Sequence, residues 1–197
     1  MKKERLVVGL SGASGVILGI RFLEILSKYE ELETHLVLSD AAKSTIAYET
    51  DWKIEDVEAL AGQVHDFNNV GASIASGSFK TKGMVIIPCS VKTLSAIAYS
   101  FDTNLMIRAA DVVLKERRRL VLVLREMPLH KGHLDAMVRV CDLGGVILPP
   151  MLTFYQKPKN LDEMINYVVG KSLDALEIPQ NLYRKWGEEE SVRGRDV

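Results

Sequence analysis

The sequence has little of several features that define specialised classes of protein. It contains only two cysteines, Cys89 and Cys141, which excludes a disulfide framework or a cysteine-rich zinc site. Its 25 Lys and Arg nearly balance 26 Asp and Glu, and a net charge of −1 gives no positive field for general nucleic-acid binding. No apolar run reaches the roughly 18 residues of a membrane span, and the N-terminus lacks the apolar core of a signal peptide. We therefore expect a cytoplasmic protein.

The remaining composition is that of an ordinary globular protein. Hydrophobic residues make up 47% of the 197 residues and charged residues 26%, which excludes a disordered or collagen-like chain. A domain of this length can bury roughly 70% of the surface of its unfolded chain, so its core needs neither disulfides nor a metal. We predict a single domain over residues 1–186, followed by a polar C-terminal tail over residues 187–197.

Short apolar runs alternate with amphipathic segments along the chain. Leu6 to Leu10, Met84 to Ile87 and Leu120 to Leu124 are nearly continuous apolar stretches, as expected for strands that are buried on both faces. Apolar residues at helical spacing follow, for example from Ile17 to Leu26. This alternation predicts an α/β fold with a parallel sheet covered by helices on both faces. The polar stretch from 52 to 82 is the least regular part and could hold a long functional loop.

The first strand is followed by a glycine-rich segment, GLSGASG (9–15). Ligands of open α/β sheets bind beyond the carboxyl ends of the strands, which makes this segment a candidate site. Glycine lets backbone N–H groups approach a phosphate, and a helix N-terminus favours negative charge. The spacing matches neither the dinucleotide fingerprint nor the P-loop. A tight turn with a helix cap therefore stays open beside a mononucleotide or flavin site.

A second candidate segment is PCSVKT (88–93), which closes another apolar strand. Ser90 or Thr93 can cap the following helix, and either hydroxyl can bind a phosphate or the edge of a flavin. Cys89 has no evident base as a partner in the sequence, so a buried structural cysteine is favoured over a nucleophile.

Charged residues at a third strand end, and on two helices, are further candidates. Arg125 suits a phosphate through its planar fork of donors, and Glu126 could move protons if burial raised its pKa. An ion pair on an exposed loop is the alternative for these two residues. Lys115, in a basic run, and Glu49, at the end of a helix, have a solvated surface position as their alternative.

Taken together, these segments resemble the UbiX-like flavin prenyltransferases, also called phenylacrylic acid decarboxylase-associated flavoproteins. The similarity runs from the first strand almost to the C-terminus, and the order and spacing of many short motifs make it specific. The matching stretches are SGASG (11–15), ETD (49–51), ASGSF (75–79), PCSVKTLSAIA (88–98), RAADVVLKERR (108–118), REMPLH (125–130), PP…FY (149–155) and RKWGE (184–188).

The resemblance implies a fold and an activity. The fold is a Rossmann-like or flavodoxin-like doubly wound parallel sheet in a three-layer αβα flavoprotein domain. Members of the family join a dimethylallyl group from dimethylallyl monophosphate to N5 and C6 of reduced FMN. The product, prenylated FMN, serves UbiD-type decarboxylases. The resemblance thus implies FMN as co-substrate, no metal, and a homo-oligomer, commonly a dodecamer, in which neighbouring subunits complete the site.

The resemblance also implies roles for individual residues. The residues expected to bind FMN are Gly12, Ala13, Ser14, Ser39, Ser90, Val91, Lys92, Thr93 and Arg125. The residues expected around the prenyl phosphate are Arg108, Lys115, Arg125, Glu126, Tyr155, Lys171 and Trp186. Ser14 and Glu126 would assist proton movement and breakdown of the N5 adduct, and Glu49 would lie by the flavin and the prenyl group. At Lys171 many relatives have arginine, so the charge is kept here but the bidentate fork is lost.

Two other functions stay open. An FMN-dependent decarboxylase of the cysteine-decarboxylase flavoprotein type would be expected to carry a catalytic histidine early in the chain. Here His35 lies within a strand pattern and is a weak candidate. A non-catalytic flavin carrier would bind FMN without turnover, but such a carrier has no need of Glu126, Lys115 and Tyr155.

Overall fold

The strands form one parallel sheet in the computed structural model, which describes residues 3–185. In chain order they are β1 (Glu4–Leu10), β2 (Leu32–Leu38), β3 (Gln63–His65), β4 (Gly83–Cys89), β5 (Arg119–Leu124) and β6 (Val146–Ile147). Side by side they follow the order β3-β2-β1-β4-β5-β6, and every neighbouring pair is parallel.

Helices connect the strands and cover both faces of the sheet. They are α1 (Ile17–Leu26), α2 (Asp40–Glu49), α3 (Ile54–Glu58), α4 (Val91–Ala98), α5 (Leu105–Lys115), α6 (Lys131–Asp142) and α7 (Leu161–Ala175). A single 3-10 turn, Ser73–Ala75, precedes β4.

Alternate strand residues point into two separate apolar cores, one on each face of the sheet. In β1, Leu6 and Val8 belong to the core shared with α1, α2, α3 and α7, whereas Val7 belongs to the core shared with α4, α5 and α6. Both faces are therefore buried, which explains why the strand sequences are nearly continuous apolar runs. The predicted doubly wound three-layer α/β fold is confirmed.

The sheet changes direction of winding between β1 and β4. β1 pairs with β2 on one side and with β4 on the other, so the connections after β1 and β4 leave toward opposite faces. A crevice opens where two such connections diverge, at the carboxyl ends of the strands. The segments that follow β1 and β4 are therefore placed together at this edge.

The stretch from 52 to 82 is more regular than its composition indicated. It contains α3, the short edge strand β3 and the 3-10 turn, so the loop expected in this stretch is confined to the residues between these elements. Within residues 3–185, no helix has the length and apolarity needed to cross a membrane. The tail 187–197 lies outside the described residues, and the domain boundary at 186 stays a prediction.

Candidate active site

A cleft of about 1260 Å³ lies at the carboxyl ends of β1 and β4, where the winding changes direction. Its walls come from the segments after β1, β2, β4 and β5 and from the N-terminal part of α5. The residues predicted from the sequence that line it are Gly12, Ala13, Ser14, Ser39, Ser90, Val91, Lys92, Thr93, Arg125 and Glu126.

Ser11 joins the two strand ends that form the floor of the cleft. Its backbone N–H and its hydroxyl both donate to the carbonyl of Pro88, at 3.2 and 2.9 Å, and its Oγ accepts from the N–H of Ser90 at 2.8 Å. The side chain is buried, so these bonds are protected from water. Ser11 fixes the glycine-rich segment relative to the start of α4. It was not among the predicted site residues, because its partners lie far away in the sequence.

Two of the helix N-termini at the cleft, those of α2 and α4, are capped by serines. Ser39 caps α2 by accepting from the N–H of Ala42 at 3.0 Å. Ser90 caps α4 by accepting from the N–H of Thr93 at 3.3 Å, and its hydroxyl donates to Oγ1 of Thr93 at 3.1 Å. Helix N-termini carry unsatisfied N–H groups and partial positive charge. Two of them in one cleft, with Arg125 beside them, suit a phosphate group.

Gly12 lets the glycine-rich segment lie against the first turn of α2. A Cβ built on Gly12 would overlap the Cβ of Ala41, so no larger residue fits without displacing one of the two segments. The close approach keeps the backbone of Gly12 and Ala13 at the cleft wall, near the Ser39 cap. The sequence predicted that glycine here lets the backbone approach a phosphate; the contact with α2 was not predicted.

Glu49 is the last residue of α2, and its carboxylate lies at the N-terminus of α1. Its Oε2 accepts from the N–H groups of Gly15 and Val16, at 2.8 and 3.3 Å. Burial would raise the pKa of Glu49, but hydrogen bonds from the Ser14 hydroxyl and from these two N–H groups, together with the charge of Arg125, hold it below its ordinary value. Glu49 is exposed, as the surface alternative expected, and its carboxylate is the anion at the N-terminus of α1.

Arg125 and Glu126 extend from the end of β5 to the cleft. The N–H of Arg125 donates to the carbonyl of Cys89 at 2.9 Å, which aligns this segment with the end of β4. Glu126 is half-buried, and its Oε1 accepts from the N–H of Met127 at 3.1 Å. Cys89 is fully buried, and burial raises the pKa of its thiol well above the ordinary value. The structural interpretation of Cys89 agrees with this position.

Aromatic side chains form a part of the cleft that the sequence analysis missed. Phe67, Tyr99 and Phe101 line it, and the last two are 63% and 66% exposed. Tyr99 is also in contact with the guanidinium of Arg139, 4.8 Å from the ring centroid. Exposed aromatic rings beside polar helix ends offer a surface for a flat, conjugated ligand. The sequence signal for these rings was the presence of two aromatic residues, Tyr99 and Phe101, in the short connection between α4 and α5.

The remaining predicted residues do not line the cleft of this chain. Lys115 ends α5, about 12 Å along the helix axis from Ile107 at the cleft wall. Its ammonium donates to Glu116 at 2.9 Å. Arg108 is one residue beyond Ile107 and forms ion pairs with two carboxylates, Asp102 and Asp111, at 3.1 and 3.3 Å. Trp186 lies outside the described residues.

Tyr155 and Lys171 both lie at α7. Tyr155 follows β6 in an irregular segment, and its hydroxyl is 3.2 Å from that of Tyr167 on α7. Lys171 is one turn after Tyr167 on the same helix, and its charge contributes to lowering the pKa of Tyr155. The structure therefore brings these two predicted residues close to each other, although not into the cleft.

Residues 3–185 contain no group of three His, Cys, Asp or Glu side chains arranged to hold a metal ion. None of the histidines in that range lines the cleft. His35 on β2 and His65 on the edge strand β3 are buried, and Nδ1 of His35 is 3.0 Å from Nε2 of His65. The early histidine expected of a cysteine-type decarboxylase is thus absent from the cleft in the described part of the chain.

Fold and site together define a class of protein: a doubly wound α/β protein with an anion-binding cleft at its switch point. The model of the Flavoprotein family matches residues 1–171. The flavin prenyltransferase UbiX of Thauera aromatica is 60% identical over 187 residues, which are 94% of this chain and 96% of the relative. The enzyme of the same name from Escherichia coli K12 is 52% identical over 93% of this chain and 98% of its own.

Solved structures agree with these relatives. AnUbiX (PadA1), in complex with FMN and dimethylallyl pyrophosphate, has a TM-score of 0.92 and 45% identity over 94% of this chain and 98% of its own. A dodecameric FMN-dependent UbiX-like decarboxylase from Escherichia coli O157:H7 has a TM-score of 0.91 and 45% identity over 92% and 98%. Peptidyl-cysteine decarboxylase EpiD is only 13% identical, with a TM-score of 0.63, and shares the fold alone. The chain belongs to the Flavoprotein family and, within it, to the UbiX-type flavin prenyltransferases.

Proposed function

We propose that this protein is a flavin prenyltransferase that joins a dimethylallyl group to N5 and C6 of reduced FMN. The donor is dimethylallyl monophosphate, whose C–O bond breaks to release phosphate. The product is prenylated FMN. The observation that carries the proposal is the likeness over 94% of the chain to a structure that holds FMN together with dimethylallyl pyrophosphate.

The cleft fits FMN by the chemistry of its walls. Ser39, Ser90 and Thr93 present hydroxyls at the two helix N-termini, where N–H groups and helix dipoles favour a phosphate. Arg125 adds a cation at the same edge. The bound flavin supplies the nucleophilic N5 and C6 atoms of the reaction.

Other predicted residues complete the flavin side of the cleft. Gly12, Ala13 and Ser14 would hold the flavin from the segment after β1, and Val91 and Lys92 from the first turn of α4. The Gly12 backbone is available because no side chain separates it from α2.

Three residues are proposed to act near the reacting atoms. Glu49 stays ionised, since its carboxylate accepts three hydrogen bonds, and its negative charge would stabilise positive charge on the allyl group as the C–O bond lengthens. Ser14 donates to Glu49 and lines the cleft, so its hydroxyl connects the carboxylate to the site. Glu126, at the opposite wall, is the proposed proton carrier.

The phosphate of the donor needs cations, because a dianion leaves. Lys115, Arg125 and Lys171 supply positive charge, Tyr155 supplies a hydroxyl donor, and Arg108 lies nearby. Trp186 is assigned to this part of the site from the family resemblance. Lys171 binds as a point charge, without the bidentate geometry of arginine.

We further propose that neighbouring copies of the chain complete the site. Lys115, Tyr155 and Lys171 do not line the cleft of their own chain. The segment that carries Tyr155 also exposes apolar side chains, since Met151 and Phe154 are 71% and 69% exposed. Packing of this segment on another copy would cover those side chains and bring the donor-binding residues to a second cleft. A relative is dodecameric, and we propose the same assembly here.

The recipient of the product is proposed to be a UbiD-type decarboxylase. Prenylated FMN has a use only in an enzyme that accepts it as a cofactor, and the transferase must therefore release it. The location of both partners in the cytoplasm stays a prediction.

The experiment is an anaerobic reaction of purified protein, reduced FMN and dimethylallyl monophosphate, with extraction of the flavin and mass spectrometry. A gain of one C5H8 unit supports prenyl transfer. A parallel reaction with dimethylallyl pyrophosphate tests the choice of donor. Unmodified FMN with both donors, from protein that binds FMN, would contradict the proposal and favour the flavin carrier or the decarboxylase.

A further inference from the structure

A row of aromatic side chains runs from Tyr155 to the end of α7. The hydroxyls of Tyr155 and Tyr167 are 3.2 Å apart, and their rings are nearly perpendicular. The ring of Tyr167 packs on that of Tyr183, with centroids 4.8 Å apart. The hydroxyl of Tyr183 donates to Asp174. We call these four residues the tyrosine chain; it connects the segment after β6, the helix α7 and the segment that follows α7.

The tyrosine chain is anchored at its far end. Oδ1 of Asp174 accepts from the side-chain amide of Gln180 at 3.0 Å, while Oδ2 accepts from Tyr183. One carboxylate thus holds both ends of the segment that folds back on α7. Gly170 makes room for this arrangement, because a Cβ there would lie 2.6 Å from the ring of Tyr183. These contacts hold the ring of Tyr183 in its position against the ring of Tyr167.

At the Tyr155 end of the tyrosine chain, the positive charge of Lys171 influences the hydroxyl. Hydrogen bonding with Tyr167 is the main cause that lowers the pKa of Tyr155, and the charge of Lys171 adds to it. The same hydrogen bond raises the pKa of Tyr167. The two hydroxyls share one hydrogen bond, in which either oxygen can be the donor. The hydrogen bond holds the hydroxyl of Tyr155 at Tyr167, one helical turn before Lys171 on α7.

We propose that Tyr167 and Tyr183 are positioning residues, which hold the hydroxyl of Tyr155 and the ammonium of Lys171 as a ready-made pair for the phosphate of the prenyl donor. This inference rests on the proposed function, which places Tyr155 and Lys171 at that phosphate. Tyr155 is 50% exposed in an irregular segment, so its side chain would otherwise lose rotamer freedom when the donor binds. Ordering it in advance lowers the cost of binding.

The first test is Tyr167→Phe, which removes the hydroxyl and keeps the ring that packs on Tyr183. The concentration of dimethylallyl monophosphate at half-maximal rate should rise about 3- to 10-fold, the effect of one lost hydrogen bond. The rate at saturating donor should stay within about twofold and FMN affinity should not change, because the reacting atoms are untouched. A lowered saturating rate with an unchanged half-maximal concentration would overturn the proposal.

A double-mutant cycle separates positioning from general support of the fold. Tyr155→Phe, Tyr167→Phe and the double variant are compared by calorimetric titration of the monophosphate into protein loaded with oxidised FMN, where no turnover occurs. If Tyr167 acts through Tyr155, the double variant binds no more weakly than Tyr155→Phe alone. Independent, additive losses of affinity would contradict the proposal that Tyr167 acts through Tyr155.

The matched control is Tyr29→Phe. The hydroxyl of Tyr29 donates to the carbonyl of Pro179 at 2.8 Å, so this variant loosens the same C-terminal segment without touching the tyrosine chain. Its donor affinity should equal that of the wild type. A wild type that binds the monophosphate but makes no prenylated flavin would contradict the proposed function, and the cycle would still decide on the tyrosine chain. A wild type that does not bind the monophosphate would overturn both.

Discussion

The two halves of the site are built in different ways. The FMN half consists of backbone segments at the ends of β1 and β4 and of two helix N-termini, all within one chain. The donor half is proposed to consist of side chains on helix surfaces and in an irregular segment. Of these, Lys115, Tyr155 and Lys171 lie outside the cleft, whereas Arg125, shared with the FMN half, lines it. Tyr155, in the donor half, is 50% exposed, whereas Ser11 and Ser39, in the FMN half, are 2% and 8% exposed.

This difference indicates how the two substrates are handled. The FMN half is fixed by the sheet, because strand ends and helix caps form when the chain folds. The donor half is proposed to have its own local support in the tyrosine chain and to need a second copy of the chain to meet a cleft. Flavin binding should therefore depend on the fold of one chain, and prenyl transfer on the assembly.

The largest expected effect on the FMN half comes from Gly12→Val. The new side chain would overlap Ala41 and displace either the glycine-rich segment or α2. Overpacking costs about 1–3 kcal/mol, so FMN affinity should fall about 10- to 100-fold or more. Quenching of FMN fluorescence measures the affinity.

Gly71→Ala is the control for this substitution. The nearest atom to a Cβ on Gly71 is Oδ1 of Asn69, at 3.4 Å, which is an ordinary contact. FMN affinity should be unchanged in this variant. Equal affinity in Gly12→Val and the wild type would show that the segment after β1 does not hold the flavin.

The next largest effect is expected in the donor half, from Lys171→Ala. Loss of a charged hydrogen-bond donor costs about 1.5–3 kcal/mol, so the half-maximal concentration of the monophosphate should rise about 10- to 100-fold. FMN affinity should not change. Lys171→Arg should keep or improve donor binding, because its fork can bind two phosphate oxygens.

Lys28→Ala serves as the charge-matched control for Lys171→Ala, since Lys28 is exposed at the end of α1. Steady-state rates at varied donor concentration distinguish these variants. A loss of FMN affinity in Lys171→Ala would contradict the claim that the FMN half and the donor half act separately.

A smaller effect is expected from Ser39→Ala, which removes the cap of α2 at the cleft. An N-cap contributes about 1 kcal/mol to stability. FMN affinity should also fall, by about 5- to 10-fold, because the same hydroxyl is proposed to bind the phosphate. Thermal unfolding and flavin titration are measured on the same preparation.

Asn160→Ala separates these two consequences of losing a cap. Asn160 caps α7 by accepting from the N–H of Glu163 at 2.9 Å, and it does not line the cleft. This variant should lose similar stability and no FMN affinity. If both variants weaken flavin binding alike, the effect of Ser39 is one of stability alone.

The smallest effect concerns a region outside both halves, the histidine pair of β2 and β3. Burial lowers the pKa of both His35 and His65. Glu33, 3.7 Å from Nε2 of His35, opposes this shift, while Arg5 near Glu33 adds to it. The unfolded chain takes up protons first as the pH falls below about 6.5, so this contribution to stability is present above that pH and declines below it.

The melting temperature should therefore fall as the pH is lowered from 7.5 to 5.5, by about 2–4 °C for each kcal/mol lost. His65→Gln should reduce this pH dependence, and His130→Gln, at an exposed position, should not. A melting temperature that rises on acidification would contradict the assignment to the histidine pair. Flavin binding by either variant should match the wild type at pH 7.5.

Local signals made much of the fold and of the FMN half predictable. Apolar runs and helical spacing identified the buried strands and the covering helices, because the periodicity of a strand or helix is visible over a few consecutive residues. Ser90 was recognisable as a helix cap from its position in the sequence, whereas Ser39 came from the family resemblance and its capping role from the structure. Motif resemblance supplied the donor-binding residues, whose separation from the cleft no local pattern could show.

Contacts between distant segments could not be predicted in this way. The strand β3 has three residues, is at the edge of the sheet and is stabilised by pairing with β2, so its own sequence carries a weak signal. Ser11 depends on Pro88 and Ser90, and Tyr167 on Tyr155 and Tyr183. The histidine pair joins residues 30 positions apart. Each of these partnerships exists only after the chain has folded.

The central claim is that one chain's cleft works with another chain's donor-binding residues, and subunit mixing tests it most directly. Gly12→Val lacks the FMN half and Lys171→Ala lacks the donor half, so each alone should form little prenylated FMN. Co-expressed with different tags and purified through both, mixed oligomers contain clefts from one variant beside Lys171 from the other. The account predicts that they regain prenyl transfer. Mixed oligomers no more active than the parents would contradict it.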